Sequence, residues 1–120
     1  MPRPLLVKIT CGTEEPERCN QAFTVAAAGV AAGADVGLWL TGEAVWLAVP
    51  GRAQEFDLPH AAPLVDLLAT VIDHGDVVAC TQCAARRGLT DADLIEGIRI
   101  AGAAEFVERA LSEDAQALVY

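Results

Sequence analysis

Five short apolar runs, none of which alternates apolar with polar residues, constrain this chain more than any other feature. They are Leu5 to Thr10, Val36 to Leu40, Asp76 to Cys80, Ile98 to Ile100 and Ala117 to Tyr120. A strand apolar on both sides must be buried on both sides, as in a parallel sheet sandwiched between helices. The segments between them have helical periodicity. Residues 19, 22, 23, 26 and 30 repeat at helical spacing, with Thr13 read as the cap, Glu14 and Glu15 in the first turn, and Pro16 near the start. Gly33 supplies a left-handed stop. Glu43 to Val49 reads as a short helix carrying Trp46, and Pro50 to Pro63 as a loop. Leu64, Leu67, Leu68, Val71 and Ile72 form the next stripe, opened by Pro63 and ended by Gly75. Thr81 to Arg87 makes a helical turn closed by Gly88, and Thr90 with Asp93 resembles a capping box. Ala103 to Leu111 is the last helix, with Phe106, Val107, Ala110 and Leu111 expected to face inward. The alternation predicts a three-layer α/β domain: a mainly parallel five-stranded sheet with helices on both faces, in a single domain spanning residues 1–120.

Charge excludes several classes of function. With 8 basic against 17 acidic side chains, the net charge is −9, and the only adjacent basic pair is Arg86 and Arg87. Such a chain repels a phosphate backbone, so no nucleic-acid partner is expected. The longest apolar stretch, residues 25–34, is half the roughly twenty residues a bilayer span needs, so no membrane association is expected either. Residues 1–8 lack the apolar core of a signal peptide, and four cysteines in 120 residues are too few for a disulfide scaffold. A reducing, cytoplasmic location follows as the expectation. Cys11-Gly12-Thr13 has neither the glycines nor the lysine of a phosphate loop, and no cofactor is called for.

The cysteines carry the chemical signal. In a right-handed βαβ series each strand ends at the same edge, where the following helix begins. Cys11 ends the first strand and Cys19 lies early in the next helix; Cys80 ends a later strand and Cys83 begins the turn after it. All four are therefore expected at one edge. If the first strand lies beside the Cys80 strand, their ends flank the topological switch point at which open sheets bind ligands. A thiol before a helix start is stabilised as thiolate by unsatisfied amides, and Arg86 and Arg87 add positive charge. Cys80 is thus the candidate nucleophile. Cys80 and Cys83 form a C-x-x-C at a strand-to-helix junction, a reactive arrangement. Taken singly, Cys11 and Cys19 fit core packing.

Supporting candidates are fewer. His60 precedes a helix start on the cysteine side, where it could assist proton transfer, but a solvated loop residue is the favoured reading. His74 ends its helix at the far edge, about 16 Å of strand away from Cys80, and reads as a surface residue. Arg86 and Arg87 suit an anion or a partner's acidic segment, or simple pairing with surface carboxylates. Trp46 with Leu47 and Val49 suits a cover for the site, a subunit contact, or ordinary core.

The stretch Cys80-Thr81-Gln82-Cys83-Ala84-Ala85-Arg86-Arg87-Gly88, a strand-end cysteine followed by a small-residue turn and an Arg-Gly pair, resembles the DsrE/DsrF-like family of sulfur-relay proteins. The order of the remaining elements is similar over essentially the whole chain. The resemblance implies a flavodoxin-like fold, assembly as a homotrimer or homohexamer, and a cysteine carrying sulfane sulfur as a persulfide, by position Cys80. It also implies sulfur-donor and sulfur-acceptor proteins as partners. Cys83 matches a second cysteine present in only some relatives.

The leading functional expectation is a persulfide carrier in which Cys80 takes sulfur from a donor and passes it on, with Cys83 shielding or resolving it. Two alternatives stand beside it. One is a thiol redox module cycling Cys80 and Cys83 between dithiol and disulfide. The other is a non-enzymatic binding domain with a metal on four convergent thiolates, although C-x7-C with a distant C-x2-C fits no usual zinc ribbon.

Overall fold

The computed structural model describes residues 2–120. Its elements are β1 (Pro4–Ile9), α1 (Pro16–Ala31), β2 (Asp35–Leu40), a 3-10 helix (Gly42–Ala48), α2 (Arg52–Glu55), α3 (Leu64–His74), β3 (Asp76–Cys80), α4 (Thr81–Arg86), a 3-10 turn (Asp91–Asp93), β4 (Ile98–Ala101), α5 (Ala103–Ala110) and β5 (Gln116–Val119). Every strand pairing is parallel, and the strands lie in the order β4-β3-β2-β1-β5. The expected three-layer α/β sandwich is therefore observed, with one correction: β2 separates the Cys80 strand from the first strand. Three successive crossovers each step to the adjacent position in one direction, and only the last connection returns across the sheet to place β5 beside β1.

Right-handed crossovers made in one direction lay their helices on one face, and the return crossover lays its helix on the other. The sheet residues show this division. Val7, Ile9, Val36, Leu38, Leu40, Val77 and Ala79 pack into one cluster with Cys19, Ala22, Phe23 and Ala26 of α1 and Leu64, Leu68 and Val71 of α3. Burying each such Leu or Phe fully contributes about 1.5–3 kcal/mol. Gly29 lets α1 approach closely, since a Cβ there would stand 2.7 Å from Leu5 Cδ2.

Among the described elements, α5 alone covers the opposite face. Leu6, Trp39 and Val78 are buried there, and the Phe106 ring meets Trp39 edge-on at 5.3 Å between centroids. Ion pairs hold the far end of this helix: Arg109 lies 2.8 Å from Asp76, and Arg99 bridges Asp76 at 2.8 Å and Glu105. Gly37 makes room for this, because a Cβ there would stand 2.9 Å from Arg109 Nη2. The inward placement expected for Val107 and Leu111 is corrected: they are 51% and 80% exposed. A helix of only eight residues grips the sheet through Phe106 and the Arg109 guanidinium, which leaves its other apolar side chains turned outward.

Local signals fare unevenly. Thr13 does not cap α1; Glu15 holds that position without a side-chain bond, and Glu14 instead accepts from the Gly12 N–H. Gly33 takes the left-handed conformation expected of it, φ 86°. Thr90 and Asp93 do form a reciprocal capping box, at the head of the 3-10 turn. The Pro50 to Pro63 stretch, expected as pure loop, includes the single turn of α2.

Candidate functional site

Cys80 is the last residue of β3 and the N-cap of α4, with extended φ and ψ of −63° and 129°. Its strand parity matches Val78, so it lies on the face covered by α5. The connection after β3 leads to Ala84 and Leu94 in the main cluster on the α1 side, whereas that after β4 leads to α5 on the other side. The two strand ends diverge, and Cys80 is in register with Ala101 across them. The topological switch point therefore falls at Cys80 after all, formed with β4 and not with β1. The thiol is half-buried, and its successors Thr81 and Gln82 are exposed.

Burial alone would raise the Cys80 thiol. The backbone amide and thiol of Cys83, the amide of Gln82 and the positive charge of Lys8 outweigh that effect, and the thiol sits below its ordinary value. A lowered thiol at a half-buried strand end has the chemical character that thiol nucleophiles need.

Cys83 lies on the first turn of α4, half-buried, beside Cys80. Arg86 Nη1 lies 4.0 Å from its sulfur and is otherwise exposed. Arg87 is committed elsewhere. Its Nε and Nη2 donate to Glu43 Oε2 at 3.0 and 2.7 Å, and its Nη1 donates to the Cys83 carbonyl at 3.0 Å. Of the two expected roles, pairing with a carboxylate is the one Arg87 takes; it ties the C-x-x-C turn to the 3-10 helix after β2.

The four thiols do not converge. Cys11 and Cys19 are 3% and 0% exposed within the main cluster, on the α1 side, while Cys80 faces α5. Burial pushes Cys11 up and drives Cys19 to about 12, a value at which it is inert as a nucleophile. Among the described residues no group of three or more His, Cys, Asp and Glu side chains is placed to hold a metal ion, so a site built on four thiolates is not formed. The physical reason is placement: Cys11 and Cys19 are sealed inside the main cluster, Cys83 packs at its margin, and Cys80 alone lies on the α5 face.

His60 is exposed in the loop between α2 and α3, at φ 63°, and makes no side-chain hydrogen bond among the described residues. Its neighbours Leu58 and Pro59 line a hollow with Glu17, Asn20 and Gln21 of α1, on the face away from the Cys80 sulfur. Trp46 is half-buried, with the Arg52 guanidinium 4.8 Å above its ring, beside Glu43 and Thr13. His60 thus lies beside α1, and Trp46 on the 3-10 helix that Arg87 ties to the C-x-x-C turn.

Two residues that do share the Cys80 face were missed. Lys8 and Trp39 are register partners on β1 and β2, and Trp39 is in turn the register partner of Val78. The signal was present in the lone lysine that interrupts an otherwise apolar strand. Its meaning required knowing which strands are neighbours.

An all-parallel three-layer α/β domain with an acidified cysteine at the switch point defines the class. The match to the DsrE/DsrF-like family runs over residues 5–116, and the chain belongs to that family, one generally tied to sulfur relay. Solved structures agree in fold. The ychN protein from E. coli superimposes with a TM-score of 0.80 at 21% identity, over 100% of both chains. MTH1491 from Methanobacterium thermoautotrophicum gives 0.68 at 11% identity, over 98% of this chain and 99% of its own. No curated protein sequence matches this chain. No helix among the described residues is long and apolar enough to cross a membrane.

Proposed function

We propose that this protein carries sulfane sulfur as a persulfide on Cys80 and hands it to an acceptor protein in the cytoplasm. The observation that carries the reading is the placement of a half-buried, acidified thiol at the one point of the sheet edge where successive connections part to opposite faces. The Cys80 thiolate attacks the outer sulfur of a donor's persulfide, R–S–SH. A sulfur–sulfur bond forms to Cys80, the donor's own bond breaks, and R–S⁻ leaves, giving Cys80–S–SH. Onward transfer repeats the step with the acceptor's thiolate as nucleophile and Cys80 thiolate as leaving group. The features that acidify Cys80 also make it a good leaving group.

Cys83 adds a second outcome. Its thiolate can attack the inner sulfur of Cys80–S–SH, forming the Cys80–Cys83 disulfide and expelling hydrosulfide. This balanced step links the carrier reading to the redox alternative, which the proximity of the two thiols favours. Assembly into a homotrimer or homohexamer is part of the proposal. It is supported by the open edge of β5 and by exposed Val107, Leu111, Leu118 and Val119 on the last two elements.

Intact-mass spectrometry after exposure to a persulfidated donor tests the carrier. Wild type and Cys83→Ser should gain one sulfur and Cys80→Ser none; an adduct that persists on Cys80→Ser would assign the role elsewhere.

A further inference from the structure

We propose that Lys8 and the indole N–H of Trp39 form an anion subsite beside Cys80, which receives the outer sulfur of the persulfide. The inference rests on the carrier reading and names the groups that hold its cargo.

Lys8 is the only lysine in a chain of net charge −9 with 17 carboxylates. It lies half-buried one residue before the end of β1, yet among the described residues no carboxylate pairs with it. The Phe106 ring, 5.4 Å from Nζ, is its recorded partner. Partly desolvating a cation without a counter-charge is unfavourable, and evolution has seventeen acids available to relieve it. Trp39 presents the same anomaly in a neutral group. It is 2% exposed, and its Nε1 donor is buried with no acceptor. An orphaned buried donor typically costs about 1–3 kcal/mol. Two unpaired donors side by side on one sheet face, in direct register, ask for an anion.

The sheet geometry says which anion. Cys80 is two residues beyond Val78, the register partner of Trp39, and on the same face. Strand spacing and rise put the Lys8 and Cys80 Cα atoms about 12 Å apart. The lysine's flexible four-carbon stem covers part of that distance, and the sulfur–sulfur bond of a persulfide extends the Cys80 side chain by about 2 Å. The outer sulfur, which bears the negative charge of a persulfide anion, is thus the atom the subsite favours over the bare thiolate. The other cations of this face are occupied: Arg99 and Arg109 are paired with Asp76 and Glu105.

The test compares wild type, Lys8→Gln, Lys8→Arg and Trp39→Phe, each checked for an unchanged melting temperature and each loaded with sodium polysulfide. Two readouts are taken: the lifetime of the one-sulfur adduct on Cys80, and the pH midpoint for alkylation of unloaded Cys80. The ionisable groups on the elements around that thiol are Cys83, Arg86 and Arg87 on and after α4, Asp76 on β3, Arg99 on β4, Glu105, Glu108 and Arg109 on α5, and Lys8 on β1. Apart from the last, all of these stay unaltered across the set. Lys8→Gln should shorten the lifetime roughly tenfold, the ratio for one charge-assisted contact, and raise the midpoint. Lys8→Arg should restore both. Trp39→Phe, which keeps the ring but not the donor, should shorten the lifetime while leaving the midpoint in place. Wild-type lifetimes in Lys8→Gln and Trp39→Phe would overturn the subsite and leave the carrier standing. Absence of any adduct on wild type would overturn both.

Discussion

Against the burial that opposes its ionisation, the backbone amide and the thiol of Cys83 draw the Cys80 thiol below its ordinary value. The C-x-x-C spacing therefore has an electrostatic consequence that does not depend on a disulfide.

Removing the Cys83 thiol isolates one of the two contributions. Cys83→Ala keeps the amide and loses the side-chain donor, so the alkylation midpoint of Cys80 should rise toward, but not reach, the ordinary thiol value of 9.0. Cys83→Ser, which restores a donor, should fall between Cys83→Ala and wild type. Iodoacetamide kinetics from pH 6 to about pH 10, read by mass spectrometry, measure this; identical midpoints in wild type and Cys83→Ala would remove the role assigned to the thiol.

The buried Cys19 predicts an alkaline limit to stability. Its thiol is raised from 9.0 to about 12 in the folded chain. A raised value means that the contribution to stability is complete below pH 9 and declines as the pH climbs toward 12, because only the unfolded chain can ionise there. One pH unit above 9, the loss is about 1.4 kcal/mol. Cys80, with its lowered thiol, acts with the opposite sign and offsets part of it. Urea denaturation of Cys19→Ala should show a lower stability overall, from the cavity, but a flatter decline between pH 8.5 and about pH 10.5 than wild type.

At the acid end, the α5 ion pairs set the limit. Asp76 is lowered from 3.8, its two arginines outweighing burial, and Glu105 is lowered from 4.5 by Arg99. Lowered carboxyls stabilise above their unfolded values and lose that contribution as the pH falls through the folded ones. Asp76→Asn should therefore destabilise the fold by about 1–2 kcal/mol at pH 7 and remove part of its acid sensitivity. Hydrogen exchange should show the loss concentrated in α5; an unchanged α5 would mean that Phe106 alone anchors the helix.

The outward-facing apolar residues predict assembly. Light scattering should give a mass of several chains for wild type, and Leu111→Glu combined with Val119→Lys should reduce it, because charges placed on α5 and on the open β5 edge oppose burial and strand addition. A double variant with the wild-type mass would place the interface elsewhere.

The sequence disclosed the β3 boundaries, the Gly33 stop and the position of Cys80, because each depends on local geometry: apolar run length, positive φ, and the rule that connections begin at one strand edge. It could not disclose which strand lies beside which. That single unknown moved the switch point from the β1/β3 pairing expected for Cys11 and Cys80 to the β3/β4 pairing observed. It also hid Lys8 and Trp39, whose relation to Cys80 exists only through register across three strands. The sequence left Arg87 open between anion binding and carboxylate pairing, because Glu43, forty-four residues away, is brought to it only by the fold. The burial of Cys11 and Cys19 followed from residue type alone.

Treating sulfur-loaded protein with cyanide converts each outer sulfur to thiocyanate and returns the thiolate, so the yield counts carriers directly. About one thiocyanate per chain is predicted from wild type and from a variant lacking Cys11, Cys19 and Cys83, and none from Cys80→Ala. An undiminished yield from Cys80→Ala would contradict the account.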